Sequence, residues 1–240
     1  MNVENMLAQI DEKAFTRQEL LFYVQKEDSA FPETRFRRFL GALLENNKIV
    51  RIGRNLYEVS DGSHYEYLNR YSDIAKMAAE IMDKRFPLLD FRIWELCWLN
   101  EFFNHQIARN KIFVEVENDG CEYAFSALED KFESVLLKPS GEELVRYGKD
   151  DGIIIDRLVG EAPRGGKERY NVPLEKIIVD LFANKLLKEM VSQGDYPGAL
   201  SEMFKKYKID QSKMFRYARR RNKEEYIREY LAGHTDIRLI

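Results

Sequence analysis

Between residues 33 and 46 the apolar positions return at helical spacing. Phe36, Phe39, Leu40, Leu43 and Leu44 fall at i, i+3, i+4, i+7 and i+8, a single stripe that predicts an amphipathic helix. Upstream, Thr16-Arg17-Gln18-Glu19 has the Thr-x-x-Glu spacing of a capping box, with Phe15 and Leu20 placed for a hydrophobic staple. That start predicts a helix over 16–25, after a less regular one over 3–10. Ser29-Ala30-Phe31-Pro32 reads as the turn before the third helix, because proline suits a first helical turn. Two short apolar-rich runs follow, 49–52 and 56–59, joined by Gly53-Arg54-Asn55 as a hairpin turn. Three helices followed by a hairpin is the order of a winged helix-turn-helix, and it assigns residues 1–60 to such a DNA-binding domain.

The pattern then changes. Ser60-Asp61-Gly62-Ser63 reads as a linker. A helix is expected over 65–84, with Leu68, Tyr71, Ile74, Ala75, Ala78 and Ile81 facing inward. Beyond Pro87 the segments alternate: 92–104 helical, 112–117 extended, 123–132 helical, 134–137 extended, 142–147 helical and 152–158 extended. Such alternation predicts an α/β domain with a modest sheet over 64–190. Residues 161–169 read as an exposed loop, and 174–190 as one long, mostly buried helix. The remainder, 191–240, is expected to be a helical extension packed on the second domain. The fold class expected is therefore α+β or α/β, with a winged helix first and a helical C-terminal region last.

Charge restricts where a polyanion could sit. The 240 residues are 45% apolar and 33% charged, with a net charge of −3. Residues 1–60 hold nine acidic and nine basic side chains, so contact with nucleic acid depends on clustering rather than on total charge. The clustering is on the third helix. Opposite its apolar stripe lie Thr34, Arg35, Arg37, Arg38, Gly41 and Ala42, a face with cationic forks and small residues suited to a major groove. Arg51 and Arg54 fall in the expected wing, where backbone phosphates or a minor groove would lie. A secondary basic patch is Arg216, Arg219, Arg220 and Arg221. By contrast, the acid-rich stretch 115–151 argues against DNA running over the middle of the chain.

Catalytic patterns are weak. Glu115 and Glu117 alternate onto one face of an expected strand, and with Asp90 they could bind a metal ion in a nuclease. The lysine of an Asp/Glu-x-Lys triplet is replaced by Glu117, so two polar positions on a half-buried strand is the favoured reading. Pro163-Arg164-Gly165-Gly166-Lys167 lacks the GxxxxGK[ST] spacing of a phosphate loop. His64, His105 and His234 are scattered, and Cys97 and Cys121 read as buried reduced thiols. No cofactor, metal or catalytic residue is therefore assigned, and a regulator is favoured over an enzyme. The N-terminus lacks a signal-peptide pattern and no apolar run approaches a membrane span, which leads to the expectation of a cytoplasmic protein.

Three stretches carry a family likeness: 43–57; Phe113-Val114-Glu115-Val116-Glu117 with the later Ile153-Ile154-Ile155-Asp156-Arg157-Leu158; and Val172-Pro173-Leu174-Glu175-Lys176-Ile177-Ile178-Val179-Asp180-Leu181. Together they resemble the AbiEi-type antitoxins of type IV toxin–antitoxin systems, which double as transcriptional regulators in antiviral defence. The resemblance implies a winged helix on inverted repeats of its own promoter, with two copies of a monomer or weak dimer on one operator. It further implies a C-terminal α/β domain that neutralises a nucleotidyltransferase-like toxin. No motif identifies toxin-neutralising residues. Glu175 suits the positive end of its helix, and Asp180 is placed to pair with Lys176 one turn earlier. Two other classes stay open: a metal-dependent nuclease or nucleotidyltransferase targeted by the winged helix, and a protein-binding adaptor.

Overall fold

The capping box expected at Thr16 is formed in full. Thr16 Oγ1 accepts the Glu19 N–H at 3.2 Å, and Glu19 Oε2 accepts the Thr16 N–H at 2.6 Å. These bonds satisfy two amides that a helix start leaves unpaired. A computed structural model describes residues 3–10, 14–46, 48–53, 55–60 and 65–239, with the backbone alone of 45 and 50–53. The chain is mixed α+β and divides into two units.

The first unit comprises 1–66 and 204–213. Its elements are α1 (Val3–Leu7), β1 (Phe15–Thr16), α2 (Arg17–Glu27), α3 (Glu33–Glu45), β2 (Ile49–Gly53) and β3 (Leu56–Val59). The strands form an antiparallel sheet in the order β1-β3-β2, with an irregularity in β2 between Arg51 and Gly53. Asn55 takes the left-handed conformation, φ 61°, that a tight hairpin turn requires. Phe36, Leu40 and Leu43 bring the stripe of α3 into a core with Met6, Phe15, Leu20, Val24, Ile49 and Tyr57. The expected linker lies, from Asp61 onward, outside the described residues.

The second unit comprises 67–203 and 214–239. Its sheet runs β4-β5-β7-β6, built from β4 (Phe91–Glu95), β5 (Lys111–Val116), β6 (Val135–Leu137) and β7 (Gly152–Arg157). β5, β7 and β6 are parallel and β4 is antiparallel to β5. On one face α4 (Asp73–Arg85) and α5 (Cys121–Glu129) pack Ala75, Ala78, Met82, Ala124 and Leu128 against Phe91, Ile93, Val114 and Ile155. On the other face Trp94 stacks on Phe113 with ring centroids 4.5 Å apart. The helix α6 (Gly141–Tyr147) precedes β7, and α7 (Leu174–Ala183), α8 (Lys185–Met190), α9 (Tyr196–Lys206), α10 (Gln211–Arg220) and α11 (Glu224–His234) complete the helical C-terminal region, the end of α9 and the start of α10 falling in the first unit. Among the described residues no helix is long and apolar enough to cross a membrane.

Three expected elements are corrected. The helix expected over 65–84 starts only at Asp73, because Ser72 caps it and Ser72 N–H donates to Glu95 Oε1 at 2.6 Å. Ahead of that cap, the Asn69 side-chain amide exchanges two hydrogen bonds with the Val172 backbone, outside any helix. The helix expected over 92–104 is strand β4 followed by a short 3-10 helix, Leu96–Glu101. Every residue of β4 is buried, and its two charged residues, Arg92 and Glu95, are three apart, so the strand lacks the polar alternation that would have marked it. The long helix over 174–190 is broken at Asn184. Its backbone is extended, and its Oδ1 caps α8 by accepting the N–H groups of Leu186 (2.9 Å) and Leu187 (3.4 Å).

Candidate nucleic-acid interface

The two faces of α3 are fully separated. Phe36, Leu40 and Leu43 are buried, while Thr34, Arg35, Arg37, Arg38 and Ala42 are exposed. At 100° per residue, Arg37, Gly41, Thr34, Arg38, Ala42 and Arg35 sweep one continuous arc of the helix. None of the ion pairs among the described residues uses Arg35, Arg37 or Arg38, so three guanidinium groups on this arc keep their donors for solvent or a ligand. Arg17 of α2 lies against this core, its guanidinium 4.9 Å from the centroid of Phe36. In β2 the backbone of Arg51 pairs with Tyr57, and Arg54 lies outside the described residues.

The secondary patch is smaller than its sequence suggests. Arg216 and Arg220 are exposed, whereas Arg219 clasps Glu224 through two bonds of 2.7 and 3.1 Å. Arg221 points inward. Its Nη1 lies 3.0 Å from Asp180 Oδ1 and 3.1 Å from the Tyr217 hydroxyl.

The acidic candidates do not form one site. Glu115 is buried on the strand face opposite α4 and α5, accepts the Trp94 indole N–H at 3.0 Å, and takes Lys176 Nζ at 2.6 Å. Lys176 also reaches Asp180 Oδ2 at 2.6 Å, the i,i+4 pair expected from sequence. The Tyr217 hydroxyl donates to the second Asp180 oxygen at 3.0 Å. Burial alone would lower the Lys176 pKa, but Asp180 and Glu115 more than offset it and hold the ammonium protonated. Burial raises Glu115, and Lys176 offsets only part of that rise. Burial likewise raises the Tyr217 phenol, with Asp180 adding to the rise. A carboxylate already held by lysine and indole has little capacity left for a metal ion.

Glu117 lies past the end of β5, exposed, with Oε1 accepting the Asp90 N–H at 2.9 Å. Asp90 is claimed by two cations, Arg92 at 2.8 Å and Arg164 at 3.1 Å. Burial raises its carboxyl pKa, and these arginines reverse the sign, so the net shift is downward. Among the described residues no group of three or more His, Cys, Asp or Glu side chains is placed to hold a metal. Arg164 of the glycine-containing loop is thus engaged with a carboxylate. Arg169, at the end of that loop, is tied to Asp83 and to the carbonyls of Phe86, Pro87 and Leu89. Both thiols are free, Cys121 buried and Cys97 half-buried, and burial pushes Cys97 up to about 11.

Sequence reasoning found the Lys176–Asp180 pair but missed Glu115, Trp94, Tyr217 and Arg221 as its companions. A signal was present. Lys176 and Asp180 stand in a helix that is apolar from Ile177 to Val179 and again at Leu181 and Phe182, and Glu115 sits between Val114 and Val116 in a buried strand, so each requires a buried partner.

The chain belongs to DUF6577, a family of unknown function whose model matches residues 35–237. No curated protein matches it.

Proposed function

We propose that this DUF6577 member is a DNA-binding transcriptional regulator whose first unit is a winged helix, with α3 as recognition helix and the β2–β3 hairpin as wing. The observation that carries the reading is the arc of α3. Three arginines without ion-pair partners, interleaved with Gly41 and Ala42, face away from a core that fixes the opposite side of the helix. Element order supports it as well: helix, short strand, two helices and a hairpin, with the first strand added to the hairpin. Cationic forks on an exposed helix can bridge phosphates or reach guanine edges, while the small residues admit the helix deep into a groove. Thr34 begins that face, and Arg51 and Arg54 would meet the flanking backbone. The chain's net charge of −3 confines such binding to this patch.

The test is a gel-shift series on duplex DNA across salt concentrations with Arg37→Ala/Arg38→Ala. Affinity is expected to fall about 10- to 100-fold, and the slope of log affinity against log salt to flatten by about 2. Unchanged binding and slope would remove α3 as the recognition element. Failure of the unaltered chain to retain duplex at low salt would favour a protein-binding adaptor.

The likeness to AbiEi-type regulators supports a finer reading, the antitoxin of a type IV pair that represses its own promoter. Co-expression with a nucleotidyltransferase-like protein encoded beside it is expected to restore growth that this neighbour alone arrests. Growth arrest that persists at equal expression would leave a regulator without a toxin.

A further inference from the structure

Where β5 ends, the chain turns through Glu117, Asn118, Asp119 and Gly120 into α5, and this turn borders a cleft of about 390 Å³. That is near the small end of the about 300–1,000 Å³ typical of ligand pockets. Phe86, Leu89 and Tyr123 supply its apolar walls. A Cβ on Gly120 would stand 2.5 Å from Leu89 Cδ1 and 2.9 Å from Val116 Cγ1, so the bare glycine lets Leu89 pack onto the turn. The rim carries the carboxylates of Glu117 and Asp119. Glu117 accepts the Asp90 N–H, and Asp119 accepts the Asn118 side-chain amide at 3.4 Å. Neither meets a cation among the described residues, whereas neighbouring Asp90 has two.

We propose that this cleft is a docking pocket for an arginine side chain presented by a protein partner. Apolar walls with two unneutralised carboxylates at the mouth match a cation carried on an apolar stem. A bare divalent ion would instead need a cage of oxygens, which Phe86, Leu89 and Tyr123 cannot complete. Arginine is favoured over lysine because its planar guanidinium can lie against Tyr123 while donating to both carboxylates. A macromolecular source is favoured because exposed apolar side chains accompany the cleft. Leu88, adjacent in sequence to the wall residue Leu89, is 95% exposed, and Tyr123, itself a wall, is 68% exposed. Exposed apolar surface beside an arginine-sized pocket is the composition of an interface centre. The position, beyond the carboxyl end of a parallel strand, is where open sheets commonly bind ligands. This inference is independent of DNA binding by the first unit.

The experiment titrates the full isotopically labelled chain with a capped Gly-Arg-Gly peptide and follows amide shifts. The same peptide with citrulline serves as neutral isostere, and butylguanidinium as a free cation. Saturable shifts at Asp119, Gly120 and Tyr123 are expected with the arginine peptide, weaker ones with butylguanidinium, and none with citrulline. Asp119→Asn, Glu117→Gln and Tyr123→Ala are each expected to weaken binding about two- to fivefold. Because Glu117 also accepts the Asp90 N–H, the exposed Asp119 and Tyr123 variants decide the matter if Glu117→Gln misfolds. Equal response to citrulline, or no saturable shift, overturns the pocket. Butylguanidinium binding as tightly as the peptide overturns the protein source in favour of a small-molecule cation.

Discussion

Lys176→Met is expected to destabilise the second unit by about 3–5 kcal/mol, the cost of leaving a buried charge without its partner. Asp180 would keep Arg221 and the Tyr217 hydroxyl, but Glu115 would keep only the Trp94 indole. The loss should therefore fall on Glu115. Adding Glu115→Gln to Lys176→Met should restore most of the stability, a non-additivity readable from denaturant midpoints in a double-mutant cycle. If the double variant is instead as unstable as the sum of the two single ones, the 2.6 Å pair is not the origin of the loss.

The pH dependence has a definite sign. In Lys176→Met the stranded Glu115 would have a folded-state pKa raised further by burial, so its protonated form is favoured by folding. The variant should gain stability as pH falls through that raised value, down to the ordinary glutamate value of about 4.3. In the unaltered protein Lys176 has a raised pKa. Its contribution is complete below the unfolded lysine value of about 10.4 and is lost as pH rises through the folded one. Chemical denaturation of the variant at pH 8 and pH 5 checks the first statement: equal stability at both would mean Glu115 has found another partner.

This cluster also marks how far the sequence could be read. Lys176 and Asp180 are one helical turn apart, so a local rule pairs them. Glu115 is 61 residues from Lys176 and Tyr217 is 37 from Asp180, and no periodicity links a strand to the helices that will cover it. The same limit explains β4. Phe91–Glu95 is buried on both faces, and its charged residues, Arg92 and Glu95, stand three apart rather than two, so no strand period marks it and its identity comes from pairing with β5. Local chemistry was readable where it is strong: the Thr16 capping box, the α3 stripe and the turn ending at Asn55 all lie within a few residues. Arg221 shows the opposite case. Within a run of basic residues nothing distinguishes the one whose partner, Asp180, arrives from another helix.

Phe36→Ala should have a similarly large effect on the first unit, about 3–5 kcal/mol, because it empties the centre of a small core. Phe36 is fully buried, sits 6.4 Å from Phe39 ring to ring, and supports the Arg17 guanidinium. A unit of this size has few spare interactions, and a loss of that magnitude approaches its whole expected stability. Arg37→Ala/Arg38→Ala, on the exposed arc, should change stability by no more than about 0.5 kcal/mol. Both variants should bind duplex poorly, yet for different reasons that one measurement separates. Trimethylamine N-oxide favours burial and should refold the Phe36 variant, restoring its thermal transition and its DNA affinity together. It should leave the arginine variant's affinity where it was, since that variant is already folded. Recovery of binding by the arginine variant would mean that Arg37 and Arg38 hold α3 in place and do not contact DNA.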